Sequence, residues 1–499
     1  MMASKVTSMG ARIIGMRRLN MGIIKAALVC GTAIVLVSTP VMAETLVEAM
    51  AIAYDSNPNL RAARAQLRAT DENVAIAMSG WRPSIIVNGS VNRQRSTIFE
   101  PGVTAPPGTQ GGTLGPGGAV TPTILGTNLL TDEQLSATIT QPLFRGFKTV
   151  AGVAQSKDQV IAQRARLQAT ESQVLLQVAT AYHDVLEDQA LVDLNQNQVQ
   201  VFKRQLEATQ DRFRVGELTR TDVSQAEASL SGAQAALVQA QGVLEQARAE
   251  YLNAVGKTPE TLAPPPLPQN LPASETDAAD LAINTNPNYV AADYTARAAD
   301  ENIRVVQGDL LPSASLVGQY TKGWNTIIRG STAEVLVGEA QVTVPLYQQG
   351  AEWARLRQAK SSFGQARLLA DQARRDARST AISSWNTLQS ATAAQSSIQS
   401  QISANEIAAE GVQREAEVGS RTVIDVLIAQ QTLLSSRVSL VQNLHDQQVA
   451  AYQLLSAIGK LTAGDLGLGV KIFDPEEHYK DVRSQPIGWN SESNGDAKH

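Results

Sequence analysis

The chain carries one plan twice, and both halves must therefore fold into related arrangements. Ser56-Asn57-Pro58-Asn59-Leu60 returns as Thr285-Asn286-Pro287-Asn288-Tyr289, Asp71-Glu72-Asn73 as Asp300-Glu301-Asn302, and Pro83-Ser84 as Pro312-Ser313, each pair 229 positions apart. Farther along, Pro142-Leu143-Phe144 returns as Pro345-Leu346-Tyr347, Val215-Gly216 as Val418-Gly419, Asp222-Val223 as Asp425-Val426, and Gly256-Lys257 as Gly459-Lys460, now 203 apart. The offset falls by 26 (229 less 203) between Pro83 and Pro142, where the first copy holds a Gly- and Pro-rich stretch at 101–122. That stretch reads as a long surface loop.

The repeats divide the 499 residues. Residues 44–260 form the first, with a strand hairpin at about 84–143 and long helices at about 148–256. Residues 261–272 hold five prolines and can hardly be helix or central strand, so they link the repeats. Residues 273–465 form the second, with a hairpin at about 313–344 and helices at about 350–459. The segment 466–499 is the C-terminal part, and its polar tail after about Phe473 is expected to be disordered.

Residues 1–43 read as a secretory signal. Lys5, Arg12, Arg17, Arg18 and Lys25 precede an apolar run from Ala26 to Val37, and Val41-Met42-Ala43 supplies a cleavage site, so the mature chain is expected to start at Glu44. No later run approaches the roughly 18 apolar residues of a membrane-spanning helix, so any membrane insertion must use strands. Removing the signal shifts the formal charge from −5 to −10, which argues against nucleic-acid binding. Cys30, the single cysteine, lies within the signal in a poor lipid-attachment context, leaving no disulfide in the mature chain.

Only 4% of residues are aromatic, too few for a large globular core but compatible with long helices packed at Ala and Leu seams. Val153, Val160, Leu167 and Val174 recur every seven residues, and Val178, Val185, Val192, Val199, Leu206 and Phe213 form a second line displaced by four. Val223, Leu230, Leu237, Leu244 and Tyr251 recur likewise, accompanied by Ala226, Ala233, Ala240, Ala247 and Ala254. Val426, Leu433, Leu440 and Leu454 echo this in the second copy, interrupted at Gln447. A helix of this length approaches about 100 Å, and its periodicity fits either an isolated stalk or the wall of a hollow cylinder.

Between the helical parts, Gln134, Ser136, Thr138 and Thr140 alternate with Leu135, Ala137 and Ile139, and Glu339, Gln341 and Thr343 with Gly338, Ala340, Val342 and Val344. A period of two gives one apolar and one polar face, suited to lipid and a wet lumen or to a soluble half-buried hairpin. Trp81, Phe144 and Tyr347 are expected just outside strand ends, as a membrane-interface girdle or as local hydrophobic caps. Four strands cannot close a barrel, and open edges are not tolerated in a bilayer, so a membrane reading requires several copies.

The turns joining the long helices are the most informative short motifs. In each, Val215-Gly216 or Val418-Gly419 suits a helix C-terminus, and Thr219 or Thr422 stands three residues before an Asp, as in a capping box. Asp222 and Asp425 can be helix caps, charged gate residues, or both. Both turns share the pattern VGxxxxxDV, and with the doubled strand-and-helix hairpins the chain resembles the TolC family of outer-membrane efflux and type I secretion channels over about residues 44–462.

The resemblance implies a mostly helical α+β fold and a homotrimer in the outer membrane of a Gram-negative cell. Each protomer would give four strands to a twelve-stranded transmembrane β-barrel, continued by a long antiparallel coiled-coil tunnel in the periplasm. It implies a periplasmic adaptor and an inner-membrane ABC or RND-type transporter as partners, contact with outer-membrane lipid, and no cofactor. Arg421 looks like the basic residue that ties the closed entrance, Asp222 like its acidic partner, and Asp425 like a member of an acidic ring. The turn residues Val215, Gly216, Thr219, Val418, Gly419 and Thr422 would meet the adaptor. Ile428 and Ala416 depart from the family pattern, where a second acid and an aromatic gate residue can occur, which implies a looser latch.

Nothing in the sequence suggests an enzyme. His183 and His445 stand singly on long helices, His478 and His499 lie in the tail, and no metal-ligand spacing occurs. The competing reading is a periplasmic coiled-coil adaptor or scaffold without a pore.

Overall fold

Each repeat begins with a short helix that an Asn-Pro pair turns sharply into a longer one. In a computed structural model, which describes residues 43–100, 123–326 and 329–488, these are α1 (Leu46–Ser56) and α2 (Pro58–Met78). Their second-copy equivalents are α5 (Glu275–Thr285) and α6 (Pro287–Gly308). The signal at 1–42, the expected loop at 101–122 and the end of the tail lie outside the described residues.

Proline at the first helical position costs no hydrogen bond, and the preceding Asn caps the helix. Asn286 Oδ1 accepts from the amides of Asn288 at 3.0 Å and Tyr289 at 3.2 Å. Its Nδ2 meanwhile donates 2.9 Å to the Ala457 carbonyl, and Thr285 Oγ1 donates 2.6 Å to that of Ile458. Asn57 and Ser56 make the same reach to Ala254 and Val255, at 3.5 and 3.4 Å. The head of each repeat thus satisfies the last carbonyls of its own final helix, α4 (Arg220–Val255) or α8 (Val423–Ala457).

The four strands form one antiparallel meander in the order β1 (Ser84–Glu100), β2 (Thr123–Arg145), β3 (Ser313–Trp324) and β4 (Thr332–Thr343). Phe144 corrects the expectation that the aromatics lie outside strand ends. Pro142 cannot donate to the ladder, so the register shifts between Pro142 and Phe144, and pairing resumes at Phe144 with Ala314. Gly146 and Phe147, both with positive φ, then turn the chain into α3 (Lys148–Arg214).

α3 and α7 (Ala351–Glu417) have 67 residues each and run back against α4 and α8. Val153, Val160, Leu167, Val174, Val178, Val185 and Val192 are buried as their spacing predicts, as are Ala226, Ala233, Ala247 and Ala254. The line ends at the tip, where Phe213 is 42% exposed. α3 also packs against α6, α2 and α8 and is the spine of the molecule, whereas α7 keeps a long face open to solvent.

The tail corrects a second expectation. Residues 474–488 fold against the helices and include α9 (Glu477–Val482), whose His478 and Val482 are buried. Composition misled because a few contacts suffice to dock a polar segment. The Phe473 amide donates to the Tyr54 hydroxyl at 3.1 Å, Arg164 pairs with Glu476 at 3.2 Å, and Arg64 stacks over the Tyr54 and Phe473 rings.

Candidate functional site: an amphipathic sheet and paired helix turns

Residues directly opposite in an antiparallel ladder share a face, so the register sorts the sheet into two surfaces. One carries Ile85, Val87, Leu135, Ala137, Ile139, Leu316, Tyr320, Leu336, Ala340 and Val342. The other carries Asn88, Ser90, Gln134, Ser136, Thr138, Thr140, Gln319, Thr321, Glu339 and Gln341, with Ile86, Val317, Val335 and Val337 among its apolar exceptions. Among the described residues nothing covers the apolar face: Ile85 is 67% exposed, Val342 68% and Leu336 81%. A soluble half-buried hairpin would bury that surface, so the geometry favours lipid.

Aromatics bracket this band. Trp81, Phe144 and Tyr347 stand exposed at the helical end, joined by Phe147, whose ring meets that of Phe144 edge-on at 5.2 Å. At the far end Lys322 pairs with Glu334 at 2.6 Å and lies over the Trp324 ring. Phe147 and Trp324 escaped sequence reading, although aromatic type beside a strand terminus was signal enough. Among the described residues no helix is long and apolar enough to cross a membrane, which says nothing of strands.

At the opposite extremity, the two helix turns have the same construction. Gly216 (φ +85°) follows α3 and Gly419 (φ +81°) follows α7, conformations that only glycine adopts freely. The Glu217 amide reaches back to the Arg212 carbonyl, and that of Ser420 to Glu415, each at 2.9 Å. Thr219 with Asp222, and Thr422 with Asp425, form full capping boxes. Hydrogen bonds from Thr219 and Thr422 hold the Asp222 and Asp425 carboxyls below their ordinary range, so both are charged at neutral pH.

Arg421 pairs with Glu415 at 2.9 Å and faces Asp425 on its own turn. Among the described residues no hydrogen bond or ion pair joins Arg421 to Asp222 within one chain. The link between the turns is Arg212, which donates to the Ala416 carbonyl at 3.1 Å while bonding Glu217. Val215 and Val418 project into solvent at the tip, and Ile428 is exposed one turn beyond Asp425.

Two polar features elsewhere were not foreseen. His445 on α8 meets Asp184 at 2.8 Å, Asp446 at 3.2 Å and Glu187 at 3.4 Å, tying the second repeat to α3. Burial alone would lower its pKa, but the hydrogen bonds to Asp184 and Asp446 and the charge of Glu187 prevail and raise it to about 9. Neighbouring His183 is buried and pushed down to about 4, chiefly by desolvation. Asp71 is fully buried with neither oxygen hydrogen-bonded, and burial raises it to about 6. Among the described residues no cluster of His, Cys, Asp or Glu is arranged to hold a metal.

An uncovered apolar band on a short meander, continued by paired helices of about 100 Å, defines a membrane-anchored channel subunit. The chain belongs to the outer membrane efflux protein family, whose model matches residues 50–257 and 278–460. It is 36% identical over 468 residues to the outer membrane efflux protein BepC of Brucella suis biovar 1 (strain 1330), covering 93% of this chain and 95% of that one. Escherichia coli (strain K12) TolC is 25% identical over 352 residues, 66% of this chain and 70% of TolC. The crystal structure of the Campylobacter jejuni CmeC outer membrane channel shares the fold, with TM-score 0.71 and 14% identity over 88% of this chain and 89% of CmeC. The chain is thus an outer-membrane efflux channel and a transport protein, not an enzyme, and the pore-free adaptor reading is set aside.

Proposed function

We propose that three copies close a twelve-stranded barrel in the outer membrane and continue it as a helical tunnel through the periplasm. An adaptor and an inner-membrane transporter would load this tunnel. The observation that carries the reading is a sheet with an uncovered apolar face and two unpaired edge strands, β1 and β4. A bilayer tolerates neither edge, and pairing β1 of one copy with β4 of the next removes both. The open face of α7 supports the same closure along the tunnel wall.

Export through the inner membrane is followed by loss of residues 1–43. At the far end of the tunnel the two turns of each copy narrow the entrance and meet the adaptor. Asp425, repeated around the axis, concentrates negative potential there and favours cations. Arg421 restrains the closed state through Glu415 and Asp425, and Asp222 serves it across a neighbouring copy. The capping and gating roles of the two Asp residues are compatible, because capping leaves the carboxylates charged and only partly covered near the tip.

The test is single-channel conductance in planar bilayers of the detergent-purified protein, Asp425→Ala and Arg421→Ser. The expected outcome is a stable pore, a lower cation preference in the first variant and a longer open time in the second. Folded protein that never conducts would overturn the reading.

A further inference from the structure

Glu44 is only 7% exposed, and neither of its carboxylate oxygens has a hydrogen-bond partner among the described residues. A buried carboxylate that keeps its charge is stabilised by a paired cation. Lys257, whose charge Glu44 reinforces, is paired with Glu260 at 2.9 Å, and the Glu48 carboxylate accepts from the Thr45 amide. The buried hydroxyl of Tyr251 lies against that carboxylate without reaching full hydrogen-bond geometry, and burial, followed by the charge and hydrogen-bonding pull of Glu44, raises its pKa.

The Glu44 backbone, by contrast, is fully engaged. Its amide donates to the Thr261 carbonyl at 2.8 Å, and its carbonyl accepts from the Ala263 amide at 3.1 Å and the Tyr182 hydroxyl at 2.7 Å. A single rung thereby fastens the chain before α1 to the Pro-rich segment between the repeats. The cleavage pattern Val41-Met42-Ala43 stands immediately before this pinned residue.

We propose that processing supplies the missing cation: the α-ammonium freed at Glu44 becomes a buried structural charge, paired with the Glu44 carboxylate and beside the Tyr251 hydroxyl. Water adds across the Ala43–Glu44 amide under a signal-cleaving peptidase. Ala43 leaves with the new carboxylate, and Glu44 keeps the nitrogen, which takes up a proton. One N–H donor becomes three, of which one stays on Thr261 and two are free for the groups left unpartnered. The precursor lacks this charge, so the junction of α1, α3, α4 and the inter-repeat segment is completed only after the signal is removed. The inference rests on the export reading above.

The test uses the full chain, exported and purified from outer membranes. Intact mass should place the mature start at Glu44. An acylating reagent selective for α-amines at neutral pH, read by peptide mass spectrometry, should label that amine at least about 100-fold more slowly in the folded protein than in denaturant. Inserting Gly-Ser between Ala43 and Glu44 moves the ammonium about 7 Å along the chain. In that variant labelling should approach the unfolded rate, and the assembly should dissociate at lower temperature. Native labelling at the unfolded rate, or equal labelling of the two proteins, overturns the inference while leaving the conductance result standing. A start elsewhere, or a mass lower by one water from cyclised glutamate, overturns it as well.

Discussion

Replacing Asn286 with alanine removes two separable interactions, and the structure allows each to be weighed. Loss of the N-cap to the Asn288 and Tyr289 amides costs about 1 kcal/mol. Loss of the 2.9 Å bond to Ala457 strands a buried carbonyl, at about 1–3 kcal/mol. The total is about 2–4 kcal/mol of local stability where α6 begins and α8 ends. Amide hydrogen exchange of those turns in the detergent-solubilised protein should accelerate by about 30- to 700-fold, since about 1.4 kcal/mol is a factor of ten. Asn286→Ser keeps a capping oxygen but cannot span the seam, so it should recover only the first part. Asn57→Ala should cost less, because the equivalent reach to Ala254 is 3.5 Å. Wild-type exchange in Asn286→Ser would show that the seam bond contributes nothing and refute the reasoning.

Gly459→Ala should lower the dissociation temperature more than Gly256→Ala. Both glycines have positive φ, but a Cβ at 459 collides with the Thr285 carbonyl, whereas at 256 it meets only Ser56 Oγ at 3.6 Å. His445 has a folded pKa above its unfolded value, so its stabilisation is complete below about pH 6.5 and is lost as pH rises through about 9. Thermal melts from pH 6 to 10 should show that loss, and His445→Gln should flatten it. Asp71 is also raised, to about 6, so its favourable contribution exists below pH 3.8 and disappears as pH climbs through 6. Asp71→Asn should accordingly raise the melting temperature at pH 7.5, with the difference closing in acid.

What could be read from the sequence was local. The seven-residue lines of α3 predicted burial correctly from Val153 to Val192, because a heptad position depends only on neighbours along one helix. Strand alternation marked an apolar face, but only the register across four strands showed that the face is continuous and uncovered. The capping boxes were visible at spacing three, and the structure adds that Arg421 turns to Glu415. Asn286 with Ala457, His445 with Asp184 and Arg212 with Ala416 lie 171, 261 and 204 residues apart. Their residue types are ordinary, so only the tertiary packing of the helices, α8 against α6 and α3 and the end of α7 against α3, reveals them. Phe144 was misplaced because a proline usually ends a strand, whereas here a bulge absorbs it.

The hairpin of the first repeat is much taller than that of the second. β3 ends at Trp324 opposite Glu133, and β4 begins beside it at Thr332, but β1 and β2 remain paired from Asn92 as far as Glu100. At about 3.3 Å per residue this leaves roughly 30 Å of two-stranded ribbon with no third strand beside it among the described residues. Its length can change without disturbing any pairing below it. The ribbon is therefore the place to graft an epitope, an affinity tag or a fluorophore site, and the second hairpin, whose β3 is laddered to β2 along its whole length, is the place to avoid.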